Sequence, residues 1–144
     1  MNVLIFDTES NGLLDEATRI WCAVTRGAEG VTKYGPDDIH VFIRELRTIG
    51  SNGIIVCHNL IAHDLPLLEK LYGYFHNGRV LDTLVFSRLL RPERVGRHSL
   101  GAWGERFGTP KPEHDQWDAY SPEMLHRCTV DVEINYRVYK ELMK

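Results

Sequence analysis

Three observations predict an α/β fold with a mixed β-sheet flanked by helices. Two strand-like runs follow a first apolar run near the start, in meander order. A segment with helical apolar spacing then leads to another short apolar run, which is the pattern of a crossover. Helix-start signals dominate the remainder.

Val3 to Phe6 is continuously apolar, as in a strand buried on both faces, and Asn11-Gly12 breaks it. Ile20 to Thr25 and Gly30 to Tyr34 read as the next two strands, with Arg26 to Glu29 as their turn. Gly35-Pro36-Asp37-Asp38 opens a helix expected to reach about Ile49, with Ile39, Phe42, Ile43 and Leu46 as its apolar face. Gly50 to Gly53 ends it, and Ile54 to Cys57 is the fourth strand. A helix from about Asp64 to Tyr72 tolerates Pro66 in its first turn. Val80-Leu81 is a short fifth strand. Asp82 caps a helix to Leu90, and Ser99 caps another to about Phe107. Ser121-Pro122-Glu123 starts a last helix expected to run to the C-terminus.

The chain of 144 residues is read as one domain, residues 1–144, long enough to bury a core. With 43% hydrophobic and 26% charged residues it has a globular composition. Cys22, Cys57 and Cys128 are odd in number and widely spaced, which argues against a disulfide framework or zinc ribbon and suits the cytoplasm. The start, Met1 to Asp7, has only four apolar residues in a row before a charge and reads as neither a signal peptide nor a membrane span. The net charge of −3 suits a nucleic-acid enzyme only if several acids hold cations. Arg88, Arg91, Arg94, Arg97 and His98 form a basic cluster, read equally as a phosphate-binding surface or a solvated loop.

Four carboxylates stand in three separated fragments. Asp7 ends the first apolar run, where an ionised carboxylate is costly unless compensated. Glu9 lies two residues on, hence on the same strand face. Two carboxylates so close raise each other's pKa unless a cation lies between them, and magnesium or manganese suits such an oxygen-rich site. Asp7 as a simple loop acceptor is the alternative. Asp131 falls on the apolar stripe of Cys128, Ile134, Val138 and Leu142, and must be salt-bridged or bind metal. Asp64 stands at a helix start, where an N-cap competes with metal ligation. His126 is the candidate general base, reaching the site from the first turn of the last helix or the loop before it. An exposed helix-start histidine is its alternative. His40, His58, His76 and His114 read as ordinary surface histidines.

Asp7-Thr8-Glu9, Asn59 to Asp64, and His126 to Asp131 with its HxxxxD spacing resemble the three motifs of the DnaQ-like (DEDD) exonucleases. The spacing is that of their histidine branch. Leu81 to Leu89 and His98 to Gly104 resemble the proofreading exonuclease domain of small-phage DNA polymerases. The resemblance implies a ribonuclease H-like sheet and a 3′→5′ exonuclease with two divalent cations, Mg²⁺ or Mn²⁺, held by Asp7, Glu9, Asp64 and Asp131. It also implies contacts to a 3′ end of single-stranded DNA or RNA from Thr8, Asn59 and His63, with Leu13 or Leu14 as a wedge between bases.

Two positions depart from the phage pattern. Arg127 stands where those domains carry tyrosine, and His63 stands where an aromatic residue usually precedes the aspartate. His63 is therefore also a fallback base. With no polymerase domain after Lys144, a free-standing enzyme or a subunit is expected, with a polymerase or a second copy as partner and a phage-infected host cytoplasm as a plausible setting. Single-stranded DNA is the first substrate reading. An exoribonuclease or short-oligonucleotide hydrolase is the second, and a non-catalytic nucleic-acid-binding or polymerase-accessory module the third.

Overall fold

The computed structural model describes residues 2–94 and 97–144. Five strands form one sheet in the order β3-β2-β1-β4-β5. β1 (Asn2–Ser10), β2 (Ile20–Gly27) and β3 (Gly30–Tyr34) are an antiparallel meander. β4 (Gly53–Cys57) pairs parallel with β1, and β5 (Arg79–Asp82) parallel with β4. The helices are α1 (Ile39–Ile49), α2 (Leu65–Tyr72), α3 (Thr83–Leu90), α4 (Leu100–Phe107) and α5 (Pro122–Leu142).

Strand alternation sorts the core into two layers. Leu4 and Phe6 of β1 face Phe42 and Leu46 of α1 and Leu67 and Leu68 of α2. Ile5 faces the opposite side, with Cys22 and Val24 of β2 and Met124, Cys128 and Val132 of α5. Trp103 of α4 is buried with Ile134 and Val138 of α5.

β1 runs four residues beyond the apolar segment that announces it. Its antiparallel pairing with β2 carries it through Asp7 and Glu9, opposite Val24 and Cys22, before the register breaks between Glu9 and Ser10. Both carboxylates therefore belong to the strand. A single π-helical turn, Leu60–Asp64, joins β4 to α2. The caps predicted at Asp82, Ser99 and Ser121 form, each accepting a backbone N–H from its own helix. Asp64 makes no such bond with its side chain, so the N-cap alternative does not hold for it. Among the described residues, no helix is long and apolar enough to cross a membrane.

Candidate active site

The carboxyl ends of parallel strands are where open α/β sheets leave a crevice. β1, β4 and β5 end at such a crevice, a cleft of about 700 Å³. Asp7, Glu9, Asp64 and Asp131 all line it, with Thr8, His58, Asn59 and His63 on the same walls. Three sequence fragments converge there because three different elements deliver them.

β1 contributes by alternation. Asp7 and Glu9 continue the face of Ile5 toward α5, and Cys128 Sγ approaches Asp7 Oδ2 at 3.7 Å. Thr8 points to the opposite side, where its Oγ1 donates to Asp64 Oδ2 at 3.0 Å. Asp64 reaches the cleft from the end of the π turn. That turn leaves a left-handed Asn59 with φ 67°, a conformation asparagine tolerates. Asp82 fixes the turn by accepting the N–H groups of Asn59 at 2.9 Å and Ile61 at 3.0 Å. Asp131 comes from the buried stripe of α5, and its residue is only 4% exposed.

The electrostatics are those of a carboxylate cluster short of positive charge. Burial raises the Asp7 pKa well above the usual range, and Asp131, Glu9 and Asp64 raise it further. Glu9 is pushed up to about 7, first by burial and then by Asp131, while Arg127 and Lys111 pull it down. Burial also raises Asp131, against the attraction of Lys111. Lys111 Nζ lies 3.3 Å from Asp131 Oδ1, and Arg127 Nε lies 3.9 Å from Glu9 Oε1. Among the described residues, Lys111 and Arg127 form ion pairs with two of the four carboxylates, and Asp131 Oδ1 is buried without a hydrogen bond. A donor set that is oxygen-rich and undercompensated in charge fits hard divalent cations. Two thiols flank it: ligand atoms of Asp7, Glu9 and Cys128, and of Asp7, Cys57 and Asp64, lie within 4.8 Å of one another in each group.

His126 is not brought to this cleft. It is exposed, and the wall residue from its turn is Arg127. The reason is helical phase. α5 begins at Pro122, so His126 lies inside regular helix and not in a loop before it. Five residues before Asp131 is about 140° away from Asp131 around the helix axis, whereas Arg127 and Cys128 share its face. His63 instead lines the cleft, with Nδ1 3.5 Å from Asp64 Oδ1, and that contact raises its pKa.

A second groove adjoins the first, lined by Thr8, Glu9, Leu13, His63 and Trp117 among others. Leu13 is 76% exposed at its edge. Leu14 is partly buried against the core under α1 and α2, so Leu13 is the more exposed of the two. Trp103 is fully buried and donates to Ser87 Oγ at 3.0 Å, so it belongs to the core.

The basic cluster divides. Arg88 and His98 line the cleft, while Arg94 lies over Trp103 at 3.8 Å. His58 departs from the surface role expected of it. It is largely buried on the cleft wall, 2.9 Å from Thr83 Oγ1, which donates to Asn135 Oδ1 at 2.7 Å. Burial lowers its pKa to about 4 and keeps it neutral. Its position directly after the apolar strand was the available signal. Lys111 had none, since it comes from a loop far from any motif.

The mixed sheet, the helices on its two faces and the carboxylate cleft at the strand ends together have a ribonuclease H-like architecture. In sequence the chain is 33% identical, over an alignment 187 positions long, to the DNA-directed DNA polymerases of Escherichia phage T7 and Enterobacteria phage T3. The match covers 98% of this chain but 26% of each polymerase, so the chain spans about a quarter of their length. No family model matches the chain. Brucella melitensis NrnC with bound Mg²⁺ superimposes with a TM-score of 0.74 over 98% of this chain and 71% of NrnC, at 19% identity. Escherichia coli RNase D, an exoribonuclease, gives 0.67 over 98% and 38%, at 13% identity. An E. coli ExoI–ssDNA complex gives 0.62 over 96% and 39%, also at 13%. These likenesses carry the ribonuclease H-like fold.

Proposed function

We propose that this chain is a metal-dependent 3′→5′ exonuclease that hydrolyses phosphodiester bonds of single-stranded DNA. The convergence of Asp7, Glu9, Asp64 and Asp131 on one cleft carries the reading. These four would hold two divalent cations, Mg²⁺ or Mn²⁺, which when bound supply activation of the attacking water and charge stabilisation at the leaving oxygen. Thr8 orients Asp64 through its hydrogen bond. Leu13 stands at the mouth of the adjoining groove, where an apolar side chain can wedge between the terminal bases. Asn59 and His63 line the cleft, where they would contact the sugar–phosphate chain. His63, on the cleft wall, takes precedence over the exposed His126 as the side chain that accepts a proton.

A second reading is hydrolysis of RNA or of very short oligonucleotides. The fold neighbour NrnC is also known bound to pGG, which supports it. The polymerase relatives support a polymerase as partner. A gel time course decides among these. End-labelled single-stranded DNA and RNA of one sequence, with magnesium or manganese, should shorten from the 3′ end, and EDTA or Asp7→Ala should stop it. Shortening that persists in Asp7→Ala within a few-fold would overturn the assignment. Binding that is unchanged in EDTA, with no shortening of any substrate, would leave the non-catalytic reading in its place.

A further inference from the structure

Lys111 belongs to none of the sequence motifs, yet it lines the cleft beside Asp131. Its stem packs beside Gly101 at the start of α4, with Cδ 3.8 Å from where a β-carbon there would stand. Its ammonium, 24% exposed at the side chain, sits 3.3 Å from Asp131 Oδ1. Its charge is felt by Asp7 and Glu9 as well as by Asp131. The backbone that carries it is tied down: Arg127 Nη1 donates to the carbonyl of Pro112 at 3.0 Å, and the same guanidinium lies 5.4 Å from the Trp117 ring. Arg127 is thus a clamp between the loop holding Lys111 and the turn of α5 that precedes Asp131.

An ammonium fixed among carboxylates has an alternative partner as soon as those carboxylates are used as ligands. Like charge then opposes it, and the anionic oxygen arriving in the same cleft is a phosphate. We infer that Lys111 is a phosphate-binding residue of this cleft, contacting the non-bridging oxygen of the linkage to be hydrolysed, with Arg127 as its positioning residue. The inference rests on the exonuclease reading and deepens it. It assigns to a loop cation the grip on the phosphate that the carboxylate motifs, being anionic, cannot supply.

A charge-swap cycle tests it with a binding readout. The probe is a fluorescent single-stranded DNA oligonucleotide with an ordinary 3′-terminal phosphodiester, or with a neutral methylphosphonate there. Affinity is measured by anisotropy in calcium, so that the strand stays whole. Lys111→Met should weaken the phosphodiester probe by about 10- to 100-fold, the range for a hydrogen bond to a charged group, and leave the methylphosphonate probe nearly unchanged. Lys111→Arg should keep most of the affinity. Equal losses on both probes, or none on either, would overturn the inference. The underlying reading is checked apart from it, by magnesium-dependent shortening of the phosphodiester probe by the unaltered protein. If that shortening is absent, the exonuclease reading and this inference fall together. If it is present without the probe difference, only the role of Lys111 falls.

Discussion

Glu9→Gln should stabilise the metal-free protein above neutral pH, although it removes a site residue. Glu9 is 8% exposed and its carboxyl is pushed from 4.5 up to about 7, chiefly by burial and by Asp131. At about 1.4 kcal/mol per pH unit, ionising it in the fold costs on the order of 3 kcal/mol. A carboxyl whose folded pKa is raised holds its proton more tightly in the fold than in the unfolded chain. Its contribution to stability is full below about 4.5 and is lost as pH rises through about 7. Glutamine is isosteric and never ionises, so it escapes that loss. It also relieves Asp7, which Glu9 repels. The assay is thermal unfolding in chelator, at about pH 4 and about pH 8. The two proteins should unfold together at the lower pH. At the higher, Glu9→Gln should melt later by up to roughly 10 °C, taking a few degrees per kcal/mol for a chain of this size. Saturating magnesium should narrow or invert the gap, because a ligand that binds only the folded state stabilises the protein that binds it better. A metal-free Glu9→Gln protein that is less stable at the higher pH would refute the view of this cleft as a strained anionic cluster.

His63→Ala is expected to lower the hydrolysis rate by roughly 10²–10⁴-fold, the usual range for a general base, and His126→Ala to change it little. The reverse order, in single-turnover assays, would return the base to α5. Leu13→Ala should raise KM on oligonucleotides more than on a simple phosphodiester, with unfolding unaltered, whereas Leu14→Ala should lower the melting temperature. Equal KM effects on both substrates would remove the wedge. Thr8→Val takes the hydrogen bond from Asp64, and loss of such an outer partner should cost about 10–100-fold in metal affinity or rate. Isothermal titration with manganese that shows unchanged affinity, together with an unchanged rate, would contradict that role.

What was legible in this molecule is what alternation and capping control. The apolar face of α1, the caps at Asp82, Ser99 and Ser121, and the stripe of α5 carrying Asp131 all follow from local chemistry. The placement of Asp7 and Glu9 on one face followed from the two-residue repeat of a strand, although the pairing with β2 that extends β1 through them was not visible. The π turn before α2 was not legible either, because nothing in Leu60 to Asp64 distinguishes it from ordinary helix. That turn decides whether Asp64 caps or faces the cleft. His126 shows the opposite case. Motif spacing named it, but helical phase gave its place to Arg127. Lys111 lay outside any pattern, since only the folded loop brings it to Asp131.

The bond from Cys128 Sγ to the carbonyl of Asp7 joins residues 121 positions apart. The reactive centre therefore straddles almost the whole span from first strand to last helix. A ribosome must release nearly all of this domain before Asp131 can meet Asp7. A product lacking α5 cannot bring Asp131 to Asp7. The order of the polypeptide thus leaves the four-carboxylate cleft incomplete until α5 has been made.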